Sequence, residues 1–433
     1  MKLKEFSIIN LTDSYKFSHF NQYPKDIEIV HSYMVSRGGK YEKMIFFGLR
    51  YYLSYLKKVI TLKDIKESKK LAEIHGVPFN EVGWKYILKK HKGKLPLLIK
   101  SIEEGSIFKK NQPILTIENT DSKCFWLTSY VETLLLKLWY PITVATKSYY
   151  AKKLLTKHWN KTSENLKNLE FAYHNFGDRG SSTSESAALG GLAHLTQFKG
   201  TDNFNALVFS HNYYDEKYKG FSIPASEHST VISWGKENEF KMIENYLEKY
   251  KNSKYSVISS VLDSFNIYEM VDFVTSGKIK EKIESSLYPI FVIRPDSGNP
   301  LIVIKKILNI MFKNKVNYSI NKKKYLVFDK YRIIWSDEIE LKIIDKILTK
   351  FTKYYSIWNM FKKIKLSAEN FVFGSGGDLM QKMNRDTCKL TINCSAVKIK
   401  GKWKEIFKKP ITDKNKKSLK GKQDRKLKTV FKN

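Results

Sequence analysis

Cysteine is scarce in this sequence, and its few copies are not arranged in pairs. The 433 residues contain three cysteines, at 124, 388 and 394, and none of them forms a CxxC motif. An odd number of cysteines cannot pair completely within one chain, and disulfide frameworks belong to oxidising compartments. The sequence therefore predicts free thiols and a cytoplasmic location.

Long apolar runs are also absent. No stretch approaches the roughly 20 apolar residues that cross a bilayer. The best candidate, residues 126–146, carries Glu132 and Lys137, which predicts an amphipathic helix packed on a core. The start of the chain reaches Asp13 after a short apolar run, too short for the core of a signal peptide. We expect a soluble protein without a membrane partner.

Acidic residues are few relative to basic ones. The chain has 43 Asp and Glu against 77 Lys and Arg, a net charge of +34 that is typical of nucleic-acid binders. However, the lysines are spread from Lys2 to Lys432, and no helix-turn-helix, zinc-finger or base-stacking motif accompanies them. We therefore expect no nucleic-acid partner, although the positive field would attract an anionic substrate.

What is present predicts a large globular protein with two domains. Hydrophobic residues make up 42% of the chain, enough for a sizeable core. Up to about residue 145, predicted strands (IEIVHSYMV, PLLIKSIEEG and QPILTIEN) are mixed with predicted helices (MIFFGLRYYLSYLKK and 126–139), an α+β pattern. Beyond it, apolar strands alternate with helices, which indicates a parallel sheet or barrel. The predicted domains are an α+β domain of residues 1–145 joined by 386–433, and an α/β domain of residues 146–385.

Charged residues or glycines directly follow five of the apolar strands in the second domain. The segments are NLEFAYHNFGDRG, YSVISSVLDSF, PIFVIRPDSGN, YRIIWSDE and NFVFGSGGDL. One such strand end is usually a turn, but five in order are hard to explain in that way. In α/β barrels the carboxyl ends of the strands converge on the active site. The residues expected there are Asp178, Arg179, Asp263, Arg294, Asp296, Asp337, Gly376 and Gly377.

These residue types suit a phosphorylated sugar. Arginine binds phosphate through two parallel hydrogen bonds, and glycines let backbone N–H groups approach an anion. Aspartates suit ribose hydroxyls or a metal ion carried by phosphates. The GSGG segment lacks the GxxxxGK[ST] pattern of a P-loop, which argues against an ordinary nucleoside triphosphatase. The histidines show no zinc-ligand spacing, so no metal ligands are assigned.

Several motifs together go further than composition. In chain order they are LTDSYKFSH, HNFGDRG, FKGTDN, SIPASEHST, IRPDSGNP, FGSGGDLMQKMNRD and FKKPITDKNKKS. The set resembles the nicotinamide phosphoribosyltransferase family of type II phosphoribosyltransferases, over about residues 8–421. The resemblance implies an irregular TIM-like α/β barrel with a second α+β domain built from the two ends of the chain. It also implies condensation of nicotinamide with phosphoribosyl pyrophosphate, giving nicotinamide mononucleotide and pyrophosphate for NAD biosynthesis.

The resemblance also implies roles for individual residues. His228 would be the transiently phosphorylated histidine that couples ATP hydrolysis, and Mg²⁺ would accompany the pyrophosphate. Phe176 would stack on one face of the pyridine ring, and Tyr15 of a second subunit on the other, so a homodimer is implied. Asp202 would accept a hydrogen bond from the amide nitrogen, which would disfavour nicotinate because its carboxylate would be repelled.

The remaining implied contacts lie around the phosphates and the ribose. Arg179 and Arg294 would contact phosphates and the surroundings of the ring, and Asp296, also implied as catalytic, would bind ribose hydroxyls with Asp337. Further substrate contacts are implied for Ser259, Ser336, Gly376, Gly377 and Arg385, and basic phosphate contacts for Arg37, Lys408 and Lys416.

The sequence departs from the family pattern mainly at the phosphate end. Ser336 and Glu338 replace glycines on either side of Asp337, and Glu338 adds a negative charge. The other departures are Asn175, Asp178, Thr391 and Asn393. Two alternatives therefore stay open beside the nicotinamide enzyme: a nicotinate phosphoribosyltransferase, and a catalytically weak relative that binds a nucleotide.

Overall fold

The structure is a computed structural model that describes residues 6–353, 355–356, 363–413, 416–424 and 426–433. Its strands are β1 (Ile27–Ser36), β2 (Lys43–Ile45), β3 (Leu97–Ser101), β4 (Ile107–Lys109), β5 (Leu115–Asn119), β6 (Tyr173–Asn175), β7 (Val257–Val261), β8 (Ile290–Arg294), β9 (Tyr318–Ile320), β10 (Leu326–Phe328), β11 (Tyr331–Trp335), β12 (Tyr355–Ser356), β13 (Lys363–Ile364), β14 (Phe371–Ser375), β15 (Leu390–Ile399), β16 (Lys402–Glu405) and β17 (Lys428–Lys432). Its α-helices are α1 (Leu49–Leu56), α2 (Leu62–His75), α3 (Glu81–Lys90), α4 (Leu127–Leu136), α5 (Trp139–Thr162), α6 (Ser184–His194), α7 (Phe204–Tyr214), α8 (His228–Ile232), α9 (Glu239–Tyr250), α10 (Ile267–Val274), α11 (Gly277–Glu284), α12 (Pro300–Lys313), α13 (Leu341–Thr352), α14 (Gly377–Met380) and α15 (Arg385–Cys388). Short 3₁₀ helices lie at Ile8–Asn10, Ser14–Asn21, Ser122–Cys124, Leu169–Phe171, Lys236–Asn238 and Ala368–Asn370.

The chain divides into two compact units. The first contains Met1–Thr146 with Met383–Asn433, and the second contains Lys147–Lys382. The predicted domain boundaries stay a prediction. Two residues of the predicted basic motif FKKPITDKNKKS, Lys414 and Asn415, lie outside the described residues.

The first unit is built on an antiparallel sheet to which both ends of the chain contribute. Its strand order is β16-β15-β1-β5-β3-β17. The long strand β1 pairs with β15 on one side, Val30 opposite Val397, and with β5 on the other. The three strands predicted in this region are present. Helix α4 packs beside the sheet and buries Tyr130, whose ring centroid lies 5.2 Å from that of Trp84.

One predicted helix of the first unit is partly wrong. The segment MIFFGLRYYLSYLKK begins with strand β2, which pairs with β4, and becomes helical only from Leu49. Gly48 explains the break, because its φ of +100° is a conformation that other residues rarely adopt and that no helix contains. A Cβ at Gly48 would also lie 2.5 Å from Pro141 Cγ.

The second unit contains the five strands predicted to end in charge or glycine. They form one parallel sheet in the order β6-β14-β11-β8-β7. Single bridges extend it at both edges, joining Asn175 to Thr201 beyond β6 and Ser259 to Ala225 beyond β7. The interior strand β8 is buried at Phe291, Val292 and Ile293, as expected for a parallel sheet covered on both faces. The result is a mixed α/β fold with a curled, half-barrel parallel sheet; a complete TIM-like barrel stays a prediction.

Local capping explains part of the IRPDSGNP motif. The Asn299 side chain accepts a hydrogen bond from Leu301 N at 3.0 Å, and Pro300 begins α12, where its missing N–H costs nothing. The motif therefore ends β8 at Arg294 and restarts the chain as a helix within a few residues. In the part of the chain that the structure describes, no helix combines the length and apolar character that crossing a membrane requires.

Candidate active site

The carboxyl ends of the five parallel strands bring predicted site residues to one edge of the sheet. Phe176 follows β6, Asp263 follows β7, Arg294 ends β8, Ser336 follows β11, and Gly376 follows β14. Strands that run parallel in one sheet end at the same edge, and the loops there converge. The arrangement that the sequence predicted from single strand ends is therefore present in the sheet.

A cavity of about 500 Å³ opens between these strands. Four predicted residues line it: Phe176, Asp202, Ser259 and Arg294. Apolar side chains, among them Ile290 and Val292, supply much of the remaining wall. An apolar pocket with a few polar groups is the usual form of a small-molecule site.

The ring of Phe176 occupies space that the neighbouring strand β14 leaves open at Gly374. A Cβ at Gly374 would lie 2.1 Å from Phe176 Cε2, so only glycine leaves room for the ring. The backbone is fixed as well, because Phe176 N donates to Ser375 O at 2.9 Å. An aromatic face is thereby fixed at the wall of the cavity.

Asp202 belongs to a hydrogen-bonded group of three side chains. Its Oδ1 lies 2.9 Å from His174 Nε2 and accepts a hydrogen bond from Ser222 Oγ at 2.5 Å. Gly200 makes room for the imidazole, since a Cβ there would lie 2.5 Å from His174 Nδ1. Burial by itself would raise the pKa of Asp202, but the hydrogen bonds from His174 and Ser222 and the charge of Arg294 outweigh it and lower that pKa. Asp202 is therefore ionised at neutral pH.

Arg294 brings a positive charge to the same cavity. Its side chain is 16% exposed, and Nη2 lies 4.0 Å from Asp296 Oδ2. The buried Nε has no hydrogen-bond partner among the described residues. Buried donors of a charged group are normally paired, so this nitrogen is a candidate donor to the acceptor of a bound ligand.

His228 is oriented by a buried carboxylate. Its Nε2 lies 3.1 Å from Asp263 Oδ1, and the two side chains are 45% and 7% exposed. Asp263 Oδ2 in turn accepts hydrogen bonds from Asp296 N at 3.0 Å and Ser297 Oγ at 2.6 Å. The imidazole is held on one side and open to solvent on the other. The sequence predicts Asp263 at this sheet edge, and the structure adds its contact with His228.

Four carboxylates, including the Asp263 partner of His228, lie close to one another at this end of the site. Burial, followed by the negative charges of Glu338, Asp296 and Asp263, raises the pKa of Asp337. Ser336 Oγ donates to Asp296 Oδ1 at 2.5 Å, so this departure from the family pattern is tied into the acidic group. Glu338 adopts a φ of +45°, a conformation that suits the glycine of the family pattern better. Oxygen donors grouped in this way are what Mg²⁺ prefers.

Two glycine-containing loops, one after β6 and one after β14, meet each other. A Cβ at Gly177 would lie 3.0 Å from Gly376 O, and one at Gly180 would lie 3.5 Å from Gly377 N. A Cβ at Gly377 would meet nothing within 4 Å, so its backbone faces open space. Arg179 on the first loop is 92% exposed and lies 3.9 Å from Glu227, the neighbour of His228.

The other five predicted site residues lie in the first unit. Tyr15 is 61% exposed, on the 3₁₀ helix Ser14–Asn21. Arg37 follows β1 and its backbone bonds to Lys389 O, near Arg385 of α15. Lys408 is tied to Ser418 by paired hydrogen bonds, and Lys416 Nζ lies 3.7 Å from Asp413. Their predicted contacts stay predictions.

Comparisons with known proteins show the family of this chain. The model of the nicotinate phosphoribosyltransferase (NAPRTase) family matches residues 171–433, and that of the nicotinamide phosphoribosyltransferase N-terminal domain matches residues 7–99. A protein named nicotinamide phosphoribosyltransferase from Xanthomonas campestris pv. campestris is 40% identical over 95% of this chain and 85% of its own. The chain belongs to the nicotinate phosphoribosyltransferase family. It is therefore a phosphoribosyltransferase, and the resemblance found in the sequence is confirmed.

More distant members of this family and solved structures extend the comparison. A Mycoplasma genitalium protein, also named nicotinamide phosphoribosyltransferase, is 29% identical over 99% of this chain and 98% of its own. The crystal structure of human nicotinic acid phosphoribosyltransferase is similar to this fold, with a TM-score of 0.54 at 13% identity. The similarity covers 89% of this chain and 74% of the human chain. The crystal structure of a Pyrococcus furiosus nicotinate-nucleotide pyrophosphorylase has a TM-score of 0.55 at 14% identity. The similarity covers 92% of this chain and 78% of the Pyrococcus chain. At these identities the two structures show the shared fold alone.

Proposed function

We propose that this phosphoribosyltransferase condenses nicotinamide with phosphoribosyl pyrophosphate, giving nicotinamide mononucleotide and pyrophosphate in NAD salvage. The observation that carries the choice of nicotinamide is the ionised Asp202 inside the ring cavity. An amide offers an N–H₂ group that a carboxylate accepts, and a carbonyl oxygen that the unpaired Nε of Arg294 suits. A carboxylate on the ring would face the negative charge of Asp202 instead.

The chemistry rests on positioning and charge. Phe176 holds one face of the pyridine ring so that the ring nitrogen attacks the anomeric carbon, with pyrophosphate leaving and positive charge developing on the sugar. Asp296 and Asp337 bind the ribose hydroxyls, and the open backbone at Gly376 and Gly377 receives the 5′-phosphate.

Mg²⁺ would fit between the carboxylates of this group. Burial, and after it repulsion from Glu338, Asp296 and Asp263, raises the pKa of Asp337, and a bound cation would relieve that repulsion. Bound with the substrate, Mg²⁺ would neutralise pyrophosphate charge. Asp296 and Asp337 are the residues that would hold it.

His228 couples ATP hydrolysis to this reaction in our proposal. With Nε2 hydrogen-bonded to Asp263, Nδ1 is the ring nitrogen that attacks the terminal phosphorus of ATP, and the bond to ADP breaks. The Nε2 proton stays on the ring, and the Asp263 carboxylate stabilises the resulting positive charge. The exposed Arg179, which lies 3.9 Å from Glu227 next to His228 in the chain, would supply positive charge for the phosphoryl group.

The working protein is a cytoplasmic homodimer in our proposal. Tyr15 is exposed, as a residue that completes the ring pocket of a partner subunit must be. The described thiols are free, and those of Cys124 and Cys388 are buried, which suits a reducing compartment.

Nicotinate is the second candidate substrate, and one observation favours it. Arg294 supplies a positive charge in the cavity with an unpaired donor, and a carboxylate is its natural partner. The weakly catalytic alternative rests on Ser336, Glu338 and Asn393, of which Ser336 is engaged by Asp296.

Product formation from phosphoribosyl pyrophosphate and Mg²⁺ tests the proposal. Nicotinamide and nicotinate are compared in parallel, each with and without ATP. We expect nicotinamide mononucleotide, formed faster with ATP. Turnover of nicotinate alone would contradict the role of Asp202, and binding of nicotinamide mononucleotide without any turnover would favour the weakly catalytic alternative.

A further inference from the structure

A second cluster of chemically reactive side chains lies in the first unit. It consists of His91, at the end of α3, and of Asp121 and Cys124, on the turn that follows β5. One ligand atom from each residue lies within 4.8 Å of the others. None of the three takes part in the phosphoribosyl chemistry proposed above.

The local backbone explains why Asp121 and Cys124 lie side by side. Residues Ser122–Cys124 form a 3₁₀ turn, and residues three apart on such a turn point in the same direction. Asp121 caps the turn, because its Oδ1 accepts a hydrogen bond from Lys123 N at 2.9 Å. Its Oδ2 faces α3 and lies 2.8 Å from His91 Nε2.

The cluster is buried on one side and open on the other. Cys124 is fully buried, whereas the side chains of His91 and Asp121 are 24% and 17% exposed. The ammonium group of Lys123, a neighbour of Cys124 in the chain, lies over the ring of Tyr86, 5.0 Å from its centroid. An ion could therefore enter from the solvent side and meet the thiol last.

We propose that His91, Asp121 and Cys124 bind a divalent transition-metal ion of the Zn²⁺ class. Nitrogen, oxygen and sulfur donors together suit Zn²⁺, and three protein ligands leave a fourth tetrahedral position for water. Mg²⁺ and Ca²⁺ require oxygen donors and are disfavoured by the thiol and the imidazole.

Binding has a simple charge and proton balance. The Cys124 thiol releases its proton to solvent and coordinates as a thiolate. The ring proton of His91 moves to Nδ1, so that the Nε2 lone pair replaces the hydrogen bond to Asp121. One thiolate, one carboxylate and one neutral imidazole then balance the two charges of the ion, and the site joins the end of α3 to the turn after β5.

Asp121 is also well satisfied without a metal, since Tyr86 donates to the same Oδ2 at 2.9 Å. A purely structural hydrogen-bonded group is therefore the competing explanation. It predicts that metal ions neither bind through sulfur nor raise the melting temperature.

Titration of the full-length protein with Co²⁺ separates the two explanations. We expect one Co²⁺ per chain with the sulfur-to-cobalt charge-transfer band of a thiolate ligand, and loss of that band when Zn²⁺ is added. The band identifies this cluster even if carboxylates such as Asp296 and Asp337 bind Co²⁺ elsewhere, because they contain no sulfur.

Two variants and one control complete the test. Cys124→Ser should abolish the band, and His91→Gln, at a partly exposed position, should weaken Zn²⁺ binding about 10-fold or more. Cys394→Ser removes a different thiol and should leave the charge-transfer band and Zn²⁺ binding unchanged. Zn²⁺ should raise the melting temperature of the wild type and of Cys394→Ser, but not of His91→Gln. The proposal is wrong if the wild type shows no thiolate band, or if the band survives in Cys124→Ser.

Discussion

Two aspartates at the same edge of the parallel sheet have opposite electrostatic environments. Asp202 is surrounded by donors and positive charge, from His174, Ser222 and Arg294, and its pKa is lowered. Asp337 is partly buried among other carboxylates, and its pKa is raised. The Asp202 charge at the ring end is therefore stabilised before substrate arrives, whereas the carboxylates at the phosphate end repel one another until cations or hydroxyl donors occupy it.

The largest loss of activity is expected when a side chain at position 374 takes the space of the Phe176 ring. In Gly374→Ala the new Cβ would overlap the Phe176 ring, which must leave its position. We expect kcat/KM for nicotinamide to fall about 100-fold, the equivalent of about 3 kcal/mol. Gly180→Ala, where the nearest atom is 3.5 Å away, is the matched control and should change little. Equal losses in the two variants would show that Phe176 has no special role.

A smaller effect is expected at His228, which lies at the phosphate end. His228→Ala should abolish the stimulation by ATP while leaving the ATP-independent reaction, because the phosphoryl acceptor is lost and the ring pocket is untouched. Initial rates with and without ATP measure this. Asp263→Asn should reduce the stimulation without abolishing it, since Nδ1 remains. Stimulation that persists in His228→Ala would place the phosphoryl group elsewhere.

The smallest effects are expected on the stability of the fold, where Asp202 and Asp337 should act in opposite directions. The carboxylate of Asp202 stabilises the fold above the ordinary aspartate pKa of 3.8, and this stabilisation is lost as the pH falls through the lowered value. Asp337 behaves oppositely, because raising the pH from 3.8 through its raised pKa ionises a group that the ligand-free fold disfavours.

At pH 7.5 without ligands, Asp202→Asn should therefore lower the melting temperature and Asp337→Asn should raise it, each by about 1–2 °C. Glu244→Gln, an exposed position on α9, serves as the control. Addition of 1 M NaCl should shrink the gain in Asp337→Asn, since salt screens repulsion between carboxylates. Shifts of the same sign in both aspartate variants would remove the contrast.

The sequence predicted the parallel sheet because each strand carries its own signal. A buried run such as IFVIR followed by proline and aspartate is local information, and β8 appears where that run lies. The helix predicted from Met44 was wrong at its start. The spacing of apolar residues does not show that Gly48 adopts a positive φ, which interrupts a helix. Short motifs such as SIPASEHST and IRPDSGNP likewise carried the family resemblance without any knowledge of contacts.

The contacts between side chains within the site could not be predicted from the sequence in the same way. His174 and Asp202 are 28 residues apart, and His228 and Asp263 are 35 apart, so only the folded sheet brings them together. The signal for His174 was its place in HNFGDRG, next to Phe176. That Arg294 Nε has no partner among the residues that the structure describes is a property of packing, which no residue spacing reveals.

The central claim is that the ionised Asp202 selects the amide over the acid. The most direct measurement is the ratio of kcat/KM for nicotinamide to that for nicotinate, in the wild type and in Asp202→Asn, with Glu244→Gln as control. The account predicts a ratio far above one in the wild type and in the control, and a fall of about 10-fold or more in Asp202→Asn, because a charged hydrogen bond and a repulsion are both removed. A wild-type ratio below one, or a ratio that Asp202→Asn leaves unchanged, would contradict it.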